Sequence, residues 1–151
     1  MGYVKARVKL CNPRDESMCG ELELLINTGS TYTWIKREKL AKLRVMGTGR
    51  RLFRTVDNRT IEREVGEAVV ECLGRRATTI VVFAEERDNE VLGLHALEGL
   101  GLEVDPVTRE LRESESILAL TTFKVRYSRN HRSCQATLAP PPAPLESPDL
   151  V

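Results

Sequence analysis

Residues 3–10 alternate strictly, Tyr-Val-Lys-Ala-Arg-Val-Lys-Leu, which predicts a strand with one face buried. A second strand is expected over Glu21–Ile26, alternating at first and then fully apolar, with the polar stretch Asn12–Gly20 connecting the two. That second run, Leu24-Leu25-Ile26, stops at Asn27-Thr28-Gly29-Ser30, a tight turn that presents its polar side chains where the strand ends. Ser30–Ile35 is rich in β-branched and aromatic residues and reads as a return strand. From Lys36 to Leu43 the period changes: Leu40 and Leu43 share one face among Lys and Arg, the mark of a short amphipathic helix.

Met46–Arg50 reads as a glycine-punctuated loop, and Arg51–Val56 and Thr60–Val65 as two strands joined through Asp57-Asn58. Further strands are expected over Glu67–Leu73, Ala77–Ala84 and Val91–Leu94. A helical turn follows over Ala96–Leu100, and then a strand–turn–strand unit over Leu102–Leu111. The pattern fails near Thr121. From Arg126 to Leu138 no period is sustained, and Ala139-Pro140-Pro141-Pro142-Ala143-Pro144 supports neither helix nor ladder. The organisation predicted is one domain over 1–120 and a flexible Pro-rich tail over 121–151, mostly β with one or two short helices.

Composition narrows the partners. The 151 residues are 41% hydrophobic and 30% charged with a net charge of +1, which argues for a globular chain and against nucleic acid as a partner. No run approaches the apolar length of a membrane span, so no membrane association is expected, and with no visible signal peptide a cytoplasmic location is the expectation. Arg and Glu are interspersed, which suits exposed ion-pair networks. Cys11, Cys19, Cys72 and Cys134 form no Cys-x-x-Cys pair and have no His at ligand spacing. No metal and no cofactor are expected, the thiols are read as reduced, and Cys72 as a small core residue. His95 is read as a helix-start or packing residue, and Trp34 as a core anchor beside the turn.

Leu24–Ser30, Thr31–Ile35, Thr78–Phe83, Val91-Leu92-Gly93 and Leu97–Pro106, in this order and spacing and with the hairpin between them, resemble the protomer of a retropepsin-like (clan AA) aspartic protease. The likeness is nearest to the small prokaryotic, especially archaeal, proteins of that kind and covers about residues 3–118. It implies a closed β-barrel of the acid-protease fold, assembled as a homodimer that holds an extended peptide or protein substrate. It also implies roles. Residue 27 is the position of the catalytic carboxylate, Thr28 bonds across the dimer axis, and Gly29 permits close packing of the two turns. Ser30 and the flap residues Val56, Asp57 and Asn58 meet substrate, while Val91, Leu92 and Gly93 brace the turn.

The sequence departs from that family at the decisive position, because residue 27 is Asn. An amide is nearly isosteric with a carboxylate but does not titrate, so it cannot serve as the base that activates water. The chain as written is therefore expected to be an endopeptidase protomer without peptidase activity. The alternative is a natural pseudoprotease acting as a dimeric peptide-binding module. A second departure lies at Asp57-Asn58, where relatives tend to carry Asp-Gly.

Overall fold

The computed structural model describes residues 3–116, 125–127 and 136–138. The chain divides into two units, 1–116 and 117–151. In the second unit, β10 (Val125–Tyr127) and β11 (Ala136–Leu138) pair antiparallel, where the sequence shows no period; three residues are too few to display one. The Pro-rich tract at 139–144 lies outside the described residues.

In the first unit the alternation of the opening residues becomes β1 (Lys5–Asn12), with Ala6, Val8 and Leu10 buried and Lys5, Arg7 and Lys9 exposed. β2 (Asp15–Asn27) runs back beside it for 13 residues. The connection is therefore only Pro13-Arg14, and the polar stretch expected to be a loop is mostly strand. Asp15–Gly20 is solvated or half-buried on both faces, so nothing in its pattern marks it as a strand. The longer pairing sets Cys11 directly opposite Cys19, with Cα atoms 4.1 Å apart, and the two form a disulfide. This corrects the expectation of reduced thiols at these positions. Cys72, by contrast, is buried, and burial pushes its thiol pKa up, as suits a core residue. Reducing the bridge is expected to lower unfolding stability by about 2 kcal/mol, the low end for disulfides because the closed loop is short. Denaturant titration with and without reductant, set beside a Cys11→Ser/Cys19→Ser chain, measures it; equal midpoints would rule out a stabilising bridge.

After the turn at Asn27 come β3 (Thr33–Lys36) and α1 (Arg37–Lys42). The carbonyls at the end of α1 are met by a buried amide: Asn12 Nδ2 donates to Leu43 O at 3.0 Å and to Arg44 O at 2.8 Å. β4 (Gly47–Arg54) and β5 (Thr60–Cys72) form the expected hairpin. It is longer than the sequence suggests, since β4 takes in the glycine-punctuated residues. β5 also continues through Gly66 as one strand rather than two. β6 (Arg75–Ala84), β7 (Val91–Gly93), α2 (Leu94–Leu100), β8 (Leu102–Val104) and β9 (Leu111–Glu113) complete the unit, with β8 and β9 pairing apart as a small antiparallel sheet.

The main sheet has seven strands in the order β1-β2-β7-β3-β6-β5-β4. It curls until β1 also meets β5, through Lys9–Cys11 against Glu71–Val69. The architecture is thus mostly β, a curled sheet in which the edge strand β1 touches β5, the strand next to the other edge, over a short stretch, where a closed barrel was expected. Its concave face is filled by Leu10, Leu24, Ile35, Val70, Val81 and Leu92, with Leu40 of α1 and Leu97 of α2 packed in from outside the sheet. Each such side chain contributes about 1.5–3 kcal/mol through burial. The charged surface is laced with ion pairs, among them Lys39–Glu90 at 2.6 Å and Arg50–Glu62 at 3.0 Å. Among the described residues no helix is long and apolar enough to cross a membrane.

Candidate functional site

β2 delivers Asn27 to the surface as its last residue, and two hydrogen bonds shape the turn that follows. Asn27 Oδ1 accepts from the Gly29 N–H at 2.9 Å, and Asn27 O accepts from the Ser30 N–H at 3.1 Å. The first is an Asx turn, the local bond that Asn and Asp side chains share. Thr28 is exposed, and its hydroxyl makes no hydrogen bond among the described residues.

The turn is braced from one side. Val91-Leu92-Gly93 lies parallel to Leu25-Ile26-Asn27 in that register, which sets Gly93 beside Asn27. The next residues close over the loop: Leu94 N–H donates to Ser30 O at 2.8 Å and His95 N–H to Thr31 O at 3.0 Å. Gly93 N–H itself donates to the buried Thr33 Oγ1 at 3.0 Å. Three residues named from the sequence thus hold the turn by backbone pairing. Leu92 is fully buried, and Val91 touches the cleft in front.

That cleft, about 760 Å³, opens between the Asn27 turn and the β4–β5 hairpin. Asn27, Gly29 and Ser30 line it on one side, and Val56 with the adjoining strand residues on the other. Asp57 and Asn58 sit at the hairpin tip, outside the lining. Asp57 accepts from Thr55 Oγ1 and Arg59 Nε, each at 2.5 Å, and these bonds hold its pKa below the usual carboxylate range, Thr55 first. Asn58 takes the left-handed backbone, φ 64°, which Asn tolerates better than most residues.

The chain matches no protein-family model and no curated relative. What the site can do is read from its own geometry.

Several lining residues are not among those that the sequence assigns to the site. Trp34, expected in the core, is half-buried and faces the cleft, its ring 5.0 Å from that of Phe53. Tyr32 stands edge-on to Phe53 at 6.3 Å and to His95 at 5.7 Å. Its hydroxyl accepts from Arg51 at 2.8 Å, whose guanidinium also lies over the ring. The alternation Arg51, Phe53 along β4 was the available signal; it needs the partner across the cleft to acquire meaning.

The hairpin is tied at its base. Arg63 of β5 donates twice to Asp88, Nε at 2.6 Å and Nη2 at 3.0 Å, and both side chains are largely buried. Arg63 is the main reason that the Asp88 pKa is lowered. Lys36 fixes the same 85–88 loop by donating to the carbonyls of Glu85, Glu86 and Asp88 at 3.0, 2.9 and 2.6 Å.

Asp88→Asn is expected to lower stability by about 1.5–3 kcal/mol, the range for a lost hydrogen bond to a charged group, and to speed amide exchange in the hairpin. Because the folded pKa is depressed, the contribution of Asp88 is complete above the unfolded value of about 3.9 and is lost as pH falls below it. The difference between parent and variant should therefore shrink on acidification below about pH 4. A difference that stayed constant down to about pH 2 would exclude the ion pair as its origin.

Proposed function

We propose that the chain is the protomer of a retropepsin-like aspartic endopeptidase in which Asn27 replaces the catalytic carboxylate, so that as written it binds extended peptides without cleaving them. One observation carries the reading: a strand-end turn centred on residue 27, paired in register with Val91-Leu92-Gly93, faces a hairpin across an open cleft. That is the relation a water-activating residue, its brace and its flap require.

In the proposed homodimer two such turns meet at a two-fold axis. The Thr28 hydroxyls bond across the axis, and Gly29 adds no bulk between the turns. With Asp at both positions, the carboxylates share a proton. One takes a proton from water as it attacks the peptide carbonyl, and the other donates toward the carbonyl oxygen. With Asn27 both halves lose their base together. What remains is a cleft with hydrogen-bonding turns and aromatic walls, which supports peptide binding.

The test compares the unaltered chain with Asn27→Asp. Sedimentation should show a dimer for both, and only the variant should cleave an unfolded protein. A monomer that binds no extended peptide in either form is the result that defeats the proposal.

A further inference from the structure

The charge of the cleft wall points to the class of peptide it takes. Arg51, Arg54 and Arg87 all line the cleft and are exposed, and none has a carboxylate partner among the described residues. The carboxylate that also lines it, Asp88, is already engaged by Arg63. The ion pairs elsewhere on the hairpin, Arg50–Glu62 and Arg59–Asp57, neutralise themselves away from the lining. A chain of nearly balanced charge therefore keeps three uncompensated guanidiniums at one place, beside Trp34 and Phe53.

Backbone geometry argues for a peptide as the occupant. Among the described residues β4 is the terminal strand of the main sheet and pairs only with β5. Its other edge offers main-chain donors and acceptors alongside the cleft, the arrangement that accepts an added strand. Guanidiniums beside that edge suit carboxylates projecting from such a strand, which they can bind in forked geometry. Aromatic walls suit apolar side chains between them.

We propose that the cleft selects extended acidic peptides in which carboxylate side chains alternate with apolar ones. The inference rests on the peptide-binding reading of the same cleft and goes beyond it by naming the ligand's charge. The experiment is fluorescence anisotropy of the full chain with short labelled peptides alternating Glu with Leu, against the same peptides carrying Gln or Lys in place of Glu, and with oligouridylate as competitor. The Glu peptide is expected to bind about tenfold tighter than its Gln counterpart at low salt, an advantage that fades at about 0.5 M salt, where exposed charges are screened. The Arg54→Gln/Arg87→Gln chain should lose the preference while still binding the Gln peptide, and the Arg54→Lys/Arg87→Lys chain should retain most of it.

Equal affinity for Glu and Gln peptides overturns the acidic selectivity and leaves the peptide-binding function standing. Failure of every peptide to bind overturns both. Displacement by oligouridylate at lower concentration than by unlabelled Glu peptide overturns the proposal in favour of a nucleic-acid ligand. A preference that survives the Gln variants shows that these arginines do not create it.

Discussion

The Asn27→Asp chain is expected to cleave unfolded protein in mildly acid solution at least about 10³-fold faster than the unaltered chain, the order that a positioned acid–base pair supplies. The substitution disturbs little else. Asn27 is exposed, and its only side-chain hydrogen bond among the described residues is accepted by Oδ1 from the Gly29 N–H, a role a carboxylate oxygen fills equally well. The added groups are therefore a base and, in the proposed dimer, an acid sharing one proton. Activity should fall toward neutrality as the second carboxylate ionises and the shared proton is lost. Asn27→Gln and Asn27→Ala serve as silent controls. A folded, dimeric Asn27→Asp chain with no cleavage anywhere between about pH 3 and pH 7, the span that brackets carboxyl titration, would refute the proposal of a protease protomer.

The second large effect is expected at Gly93. A Cβ there would lie 2.3 Å from Tyr32 O, 2.4 Å from Tyr32 C and 3.0 Å from Ser30 O. These are backbone atoms of the loop that Leu94 and His95 hold by hydrogen bonds, so no side chain can swing aside. Gly93→Ala must push β7 away from the turn or break that pairing, and is expected to lower stability by about 3 kcal/mol or more. Gly49→Ala is the matched control, since a Cβ at Gly49 meets nothing within 4 Å. Urea denaturation with tryptophan fluorescence reads both, Trp34 being the single tryptophan of the chain. A Gly93→Ala midpoint equal to that of Gly49→Ala would show that the close approach is not a constraint.

Much of this framework is legible in the sequence wherever one face of an element is buried. Lys5–Leu10 alternates because its odd and even residues meet different media, and Leu24–Ile26 with Val91–Gly93 is apolar because those strands lie inside the sheet. Asp15–Gly20 and Gly47–Arg50 escaped because both faces of those stretches are open or half-open, which leaves no period to read. The disulfide is hidden for the same reason: a strand without a period gives Cys19 no visible register opposite Cys11. At the site, residues 27–30 and 91–93 announce themselves by order and spacing. Trp34, Arg51 and Arg87 do not, because what makes them lining residues is a cleft between segments distant in the chain.

The unbroken course of β5 has a mechanical consequence. Val65–Cys72 is gripped by β6 along its length and by β1 near its end, whereas among the described residues Thr60–Glu64 has β4 as its one strand partner, with side-chain ties from Arg63 to Asp88 and from Glu64 to Arg37. The hairpin is in effect a cantilever, with a free arm of about 17 Å at strand rise and a clamped root that is part of the core. It cannot turn as a hinged lid without tearing the root. Movement of the hairpin toward the cleft must come from elastic bending of the arm, with Arg63–Asp88 acting as a strut close to the clamp. Amide exchange should therefore slow in a gradient from Thr60 to Val70, with no sharp step at Gly66.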